Sequence, residues 1–320
     1  MTTEHSMDFP NGSTMRVKWE YEALTRQGFS KISILDNLKK NSKKPTNSLF
    51  HAQQHSGMFL EKKSYISDLH GIAFEEMWHK SFQYPIHSWK KWGFRVKSHY
   101  IKKLEKNIWK NSLHLVCASD FIHDKVKHIQ NASVIRNSVK VSEYYPSKCN
   151  DLRIAVVGPF LPGTQNYDAL DLIQYCVKEL SDTDFVFIGS ASDDFKQQLN
   201  FLNVTFLGKV DNYIEELTKC SVLLSPYPEH SHILASKNKI LEAGASQMPV
   251  ITSESGALGF PQDYFLVGKS KQDFTNHLIS LKDENLRKHY GKKLKNEIEK
   301  NYNADIEIKK LIKLYREFAN

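Results

Sequence analysis

Cysteine is scarce and scattered: Cys117, Cys149, Cys176 and Cys220 form no Cys-x-x-Cys pair. That spacing argues against a disulfide framework and a structural zinc site, and a reducing cytoplasm is the expected compartment. No window holds eighteen consecutive apolar residues, so no membrane-spanning helix is expected. Met1 to Phe9 is polar and lacks the apolar core of a signal peptide. Glycine (14) and proline (10) are too few for a collagen-like or low-complexity chain. Hydrophobic residues, at 40%, suffice to bury sizeable cores, and 320 residues divide most naturally into two domains.

The net charge of +8 favours an anionic partner. It is also localised. Between Lys80 and Lys110 stand nine Lys or Arg and one acid, Glu105, so this segment alone accounts for the whole excess. Within it Trp92, Val96, Tyr100, Leu104 and Ile108 form a helical i, i+4 stripe, with lysines mostly on the opposite side. Two readings stay open. The stripe packs on a sheet while the lysines face water, which is the expectation, or residues 89–110 lie on an anionic membrane surface. The near-neutral remainder and the lack of any reader motif speak against nucleic acid.

The second half alternates apolar strands with helices. Strands are predicted at Arg153–Gly158, Phe185–Gly189, Val204–Gly208, Ser221–Ser225, Pro249–Thr252 and Phe265–Val267. Helices fall over Asp168–Leu180, Tyr213–Lys219 and Lys239–Ser246. This pattern predicts a doubly wound α/β domain. The first half is less regular: a helix over Thr14–Gln27, strands at Lys31–Leu35, Ser48–His51, Ser64–Ser67, Leu113–Cys117 and Ser133–Ile135, and a polar loop over 37–47. No apolar strand precedes its first helix, so the domain is predicted to lack its first strand and the chain to start late. The polar segment Tyr144–Asp151 sets the boundary: domains of 1–147 and 148–303, with a C-terminal helix over about 304–320 that packs back on the first.

Three stretches suggest chemistry. Pro10-Asn11-Gly12-Ser13-Thr14 puts a glycine turn before a helix, where backbone N–H groups suit phosphate, although a simple capped turn explains it as well. Asp68-Leu69-His70-Gly71 follows a strand, where ligands of doubly wound sheets bind; a capping Asp and a packed His are the plain alternative. In Lys237–Ala245, Lys239 and Glu242 share one helix face, offering a cation for diphosphate and a carboxylate for ribose hydroxyls, or a surface ion pair.

In order and spacing these parts resemble the retaining glycosyltransferases of family 4. The resemblance runs over nearly the whole chain. It rests on the Pro-Asn-Gly-Ser turn, Asp68-Leu-His-Gly71, Cys117-Ala-Ser119, Ile135-Arg-Asn-Ser-Val139, Val157-Gly158, Val204–Val210, Leu223–Pro226, Asn238–Ala243 and Met248–Ile251. It implies a GT-B fold of two facing Rossmann-like domains and transfer of a sugar, with retention, to a glycan, lipid-linked or polysaccharide acceptor. The UDP- or GDP-linked donor would bind between the domains. Glu242 would hold the ribose, and Lys239 the diphosphate, with the backbone of Gly256, Ala257 and Leu258. Gly12 and Ser13 would close over the phosphates, and His70, with Asp68, would stand at the transferred sugar. No metal or other cofactor is implied, and Asp193-Asp194 is read as a solvent-facing loop. The expected location is cytoplasmic, peripheral on the inner face of the membrane.

Two positions depart from the family's pattern: Pro159 stands where a diphosphate-gripping arginine is usual, and Leu234 where the first of two glutamates is usual. Glu229, His230, His232 and Lys237 are the candidates to compensate. The departures keep two alternatives open, a catalytically inactive partner or scaffold protein with this fold, and a nucleotide-sugar epimerase.

Overall fold

The computed structural model describes residues 1–3, 12–29, 31–40, 42–45 and 48–318, with 12–15 and 262 described by their backbone alone. The chain divides into two units: Met1–Asn137 with His232–Ser236 and Ala304–Asn320, and Ser138–Ser231 with Lys237–Asn303.

In the N-terminal unit the elements are α1 (Gly12–Arg26), β1 (Phe50–Gln53), β2 (Tyr65–Leu69), α2 (Ala73–Lys80), α3 (Trp89–Asn111), β3 (His114–Cys117), α4 (Asp120–Val126) and β4 (Ala132–Val134). The four strands pair in parallel in the order β1-β2-β3-β4. Among the described residues no full strand precedes α1. In its place Thr2 bridges Leu35 on one side and Ala52 on the other, both in parallel. The strand expected over Lys31–Leu35 reduces to that single bridge at Leu35, because no strand lies alongside the residues before it among those described.

The rotation of α3 corrects the expected stripe. Trp92, Val96 and Tyr100 are 51%, 71% and 70% exposed, so the apolar line faces solvent over the helix's first half. Ser98, Ile101, Glu105, Ile108 and Trp109 are the buried side. The cause is polar. Helix α2 has no side-chain cap of its own, and the buried Glu105 carboxylate accepts from the N–H groups of Ala73 and Phe74, both at 3.1 Å. Ser98 Oγ donates to the Phe74 carbonyl at 2.6 Å. Capping α2 from α3 satisfies orphan N–H groups and fixes which face of α3 turns inward.

The C-terminal unit contains β5 (Arg153–Val157), α5 (Gln165–Asp168), α6 (Leu170–Glu179), β6 (Asp184–Ile188), α7 (Asp193–Gln198), β7 (Val204–Gly208), α8 (Tyr213–Thr218), β8 (Val222–Ser225), α9 (Asn238–Ala245), β9 (Val250–Thr252), α10 (Glu254–Ala257), β10 (Leu266–Val267), α11 (Lys271–Ser280) and α12 (Glu284–Asn301). Its parallel sheet runs β10-β9-β8-β5-β6-β7, so the strand order reverses between β5 and β8. That reversal opens a crevice at the carboxyl ends of those strands. Apolar clusters fill both faces of the sheet, which explains strands too hydrophobic for one-sided exposure. At the ends of β5 and β6 an added Cβ on Gly189, whose φ is +130°, would lie 3.1 Å from Gly158 Cα. Only glycine permits that approach. Asp193-Asp194, read as loop, instead opens α7 behind its Ser192 cap.

The division between units falls at Asn137/Ser138, ahead of the boundary read from Tyr144–Asp151. Packing is the reason: Val139 and Tyr144 join the C-terminal core. Val139 N–H donates to the Tyr302 carbonyl at 3.0 Å, and Ser147 N–H to that of Ser246 at 3.0 Å. The last helix, α13 (Ala304–Phe318), is counted with the N-terminal unit, where Leu311 and Leu314 pack with Ile66 and Val116.

Candidate functional site

In the C-terminal unit the chemistry gathers at the β5/β8 reversal. Lys239, on the first turn of α9, donates from Nζ to the Val157 carbonyl at 3.0 Å and to Asn166 Oδ1 at 3.1 Å. Asn166, buried in the β5–α5 loop, donates from Nδ2 to the carbonyls of Val157 (2.9 Å) and Pro159 (3.0 Å). The ammonium is thus held at the carboxyl end of β5, 5.2 Å from the centre of the Tyr227 ring. Burial pushes the Lys239 pKa down to about 8, with Glu242 pulling the other way. Almost one turn on, half-buried Glu242 accepts from the Tyr213 hydroxyl at 2.9 Å. Burial raises its pKa, while Tyr213 and Lys239 work to lower it.

Tyr227 connects this corner to a cavity of about 800 Å³ built by the segments that follow β8, β9 and β10. Its wall includes Glu229, Ser253, Lys269, Lys271 and Asp168. His230 Nε2 stands 3.3 Å from Asp168 Oδ2. Ser253 braces the turn: its Oγ donates to the Tyr227 carbonyl (2.7 Å) and accepts from the N–H groups of Tyr227 (3.1 Å) and Gly256 (3.2 Å). A Cβ on Gly256 would meet Thr252 and lie 2.9 Å from Tyr227 Cδ2. Gly256 and Ala257 therefore spend their N–H groups on Ser253 within the turn. The Leu258 carbonyl accepts from buried Lys237 Nζ, which ties α9 to this turn.

The N-terminal unit places its candidates around a buried charge cluster. Asp68 is fully buried at the end of β2, and its Oδ2 accepts from Arg16 Nε (2.9 Å) and Gln53 Nε2 (3.2 Å). His70 Nε2 lies 3.7 Å from that same oxygen and His51 Nε2 3.3 Å. Arg16 reaches further, to Glu20 Oε1 (3.1 Å), Asn137 Oδ1 (3.1 Å) and the Ile135 carbonyl (2.9 Å). Burial works to raise the Asp68 pKa, but the Arg16 guanidinium and the two imidazoles hold it well below the usual carboxylate range. Burial pushes Glu20 up. Glu20, His51 and Asp68 offer ligand atoms within 4.8 Å of one another. Arg16 already supplies the positive charge there, so the group fits an internal ion pair better than a cation site. Gly12 and Ser13 open α1; Pro10 and Asn11 lie outside the described residues.

Residues 151–284 match the family model Glycosyl transferases group 1. Among solved structures the chain is similar to sucrose-phosphate synthase from Thermosynechococcus elongatus, at 12% identity over 99% of this chain and 98% of that one, with a TM-score of 0.73. It is similar to HepE of Anabaena in complex with UDP-glucose, at 11% identity over 99% and 98%, with a TM-score of 0.71. It is also similar to WaaG, a glycosyltransferase involved in lipopolysaccharide biosynthesis, at 13% identity over 96% and 97%, with a TM-score of 0.65. In a search of curated protein sequences none matched the chain. The fold is GT-B, with two Rossmann-like α/β domains.

The structure accounts for one of the two departures, Leu234. Leu234 is 3% exposed and packs in the core of the N-terminal unit with Leu69, Ile122 and Ala235. Its carbonyl accepts from Ser119 Oγ at 2.7 Å. An alkane is what that position demands. His232 likewise belongs to the N-terminal unit, its Nε2 3.3 Å from Glu75 Oε2, and Lys237 is occupied by Leu258. Of the compensating candidates, Glu229 and His230 remain at or beside the large cavity. Sequence reasoning missed Asn166, Asp168, Tyr213 and Tyr227. The Ser253-x-x-Gly256 turn carried a visible capping signal; Asn166 looked like any loop asparagine.

Proposed function

We propose that this chain is a glycosyltransferase that moves a sugar from a nucleoside-diphosphate donor to a glycan, lipid-linked or polysaccharide acceptor, with retention of configuration. The observation that carries the reading is Lys239 fixed on the Val157 carbonyl at the β5/β8 reversal, with Glu242 almost one turn away on the same helix. Lys239 takes the diphosphate and Glu242 the ribose hydroxyls. The turn from Ser253 to Leu258 borders the phosphates, and Gly12 and Ser13 are further phosphate contacts. His70 acts at the transferred sugar, and Asp68, buried and bonded to Arg16, positions it. Glu229 and the His230–Asp168 pair stand in for the absent first glutamate as hydroxyl partners.

Departure of a nucleoside diphosphate builds negative charge that a preorganised cation stabilises without needing a metal. The enzyme works at an anionic membrane surface through α3, whose exposed Trp89, Trp92, Val96 and Tyr100 lie among Lys90, Lys91 and Lys97. No helix among the described residues is long and apolar enough to cross a membrane. The second reading, a partner protein without catalysis, draws on core-packed Leu234 and on Pro159. An assay of the purified chain with UDP- and GDP-sugars and a pool of glycan and lipid-linked acceptors decides between them: sugar transfer lost in His70→Ala supports the enzyme, and no transfer from any donor supports the partner.

A further inference from the structure

Helices α2 and α3, with Lys125 of α4 and His232, line a second cavity of about 450 Å³ in the N-terminal unit, open to solvent on one side. Three cations line it, Arg95, Lys102 and Lys125, against one carboxylate, Glu75. Glu75 is already engaged: Lys125 Nζ lies 3.0 Å from it and His232 Nε2 3.3 Å. Arg95 and Lys102 make no ion pair among the described residues. They rest on aromatic faces instead, the Arg95 guanidinium 4.8 Å from the centre of Trp78 and 5.1 Å from that of Trp92, and Lys102 Nζ 5.3 Å from that of Phe74. Arg95 Nε is buried and has no hydrogen-bond partner. Cation–π contact holds both charges in place without neutralising them. Around them the wall adds donors, His79 and His99, and the exposed Trp78 ring.

Two uncompensated cations match a doubly charged anion, and a planar guanidinium is well suited to phosphate oxygens. The volume is that of a small-molecule site and exceeds what a bare phosphate fills. We propose that this cavity binds a phosphate ester, its phosphate between Arg95 and Lys102 and its carbon skeleton against Trp78. Either a soluble sugar phosphate or a lipid phosphate supplies that chemistry. The inference leans on the transferase reading only in making this ester the acceptor; phosphate-ester binding stands without it.

The test is calorimetry on the full chain with three probes: inorganic phosphate, glucose 1-phosphate, and dihexanoyl phosphatidate below its micelle concentration. The expected result is binding of at least one ester more tightly than inorganic phosphate, with the tighter ester naming the source. Affinity drops about tenfold or more in Arg95→Gln/Lys102→Gln, consistent with loss of two charge-assisted contacts, while UDP affinity stays as in wild type. Lys102→Gln alone, at an exposed side chain, gives part of that loss and guards against misfolding of the double variant. The proposal is overturned if neither ester binds, if the double variant binds equally well, or if Lys103→Gln/Lys106→Gln, outside the cavity, costs as much. Failure of both UDP and GDP to bind sinks the transferase reading and leaves the ester result standing.

Discussion

Lys239 and Asn166 share a single acceptor, the carbonyl of Val157, which takes a hydrogen bond from Nζ at 3.0 Å and from Nδ2 at 2.9 Å. The strand's last carbonyl, the loop that follows it and the first turn of α9 are thereby locked together. Asn166→Ala removes both a donor to this carbonyl and an acceptor from Lys239. A cost of about 1–3 kcal/mol follows from leaving buried partners unmet, readable as a lower thermal midpoint, together with weaker UDP binding. Unchanged values for both would show that the lock contributes nothing.

Lys239 also predicts opposite pH trends for stability and binding. Its folded pKa of about 8 lies below its ordinary 10.5. Between these values the unfolded chain binds the extra proton, so this group's contribution to stability rises with pH across that window. UDP binding runs the other way. An anion favours the protonated amine, so affinity is level below about pH 8 and falls above it by up to about tenfold per unit. Thermal melts and calorimetry in matched buffers read both trends, and Lys239→Met abolishes both.

Glu242 is predicted to recognise ribose hydroxyls. Wild type should then prefer UDP to 2′-deoxy-UDP by about tenfold, the scale of one or two hydrogen bonds. Glu242→Ala removes the preference. Tyr213→Phe, which deletes the 2.9 Å donor to the carboxylate, reduces it and raises the Glu242 pKa further. Equal discrimination by all three proteins would remove Glu242 from the ribose site.

Arg16 and Asp68 form a buried pair whose weakness shows only when one member is removed. Arg16→Met leaves the Asp68 and Glu20 carboxylates without their cation, at a cost of about 3–5 kcal/mol. Because the folded Asp68 pKa is depressed, its contribution is present above the ordinary 3.8 and is lost as pH falls toward the lower folded value. Acid unfolding of the variant should therefore begin from a lower baseline and show a smaller share of pH dependence near pH 3. A variant as stable as wild type contradicts this.

Trp92, Val96 and Tyr100 face water on a lysine-rich helix, so α3 should carry the chain onto anionic vesicles. Flotation with phosphatidylglycerol vesicles should fall in the triple serine variant at these positions, and also in Lys102→Glu/Lys103→Glu/Lys106→Glu. Flotation unaltered in both removes the membrane role.

Much of the fold was legible because its signals are local. Strands such as Ile154–Val157 and Phe185–Ile188 are buried on both faces and show as unbroken apolar runs. The orientation of α3 was not legible: its apolar stripe pointed one way, and Glu105 reaching across to cap α2 turned it another. Helices α7 and α11 are short and open on Ser192 and Ser270, caps that the sequence displayed and periodicity alone passed over. For the proposed site, Lys239 and Glu242 were picked out by helix spacing and family resemblance. Asn166 and Asp168 were not, since a polar residue in a loop gains meaning only from what the fold brings beside it.

The most direct test of the account is a calorimetric titration of the full chain with UDP and GDP, repeated on Lys239→Met and Glu242→Ala. Wild type should bind at least one of them saturably, with losses of about tenfold or more in each variant, as expected for removing a charged contact. Binding that is absent from wild type, or undiminished in both variants, contradicts it.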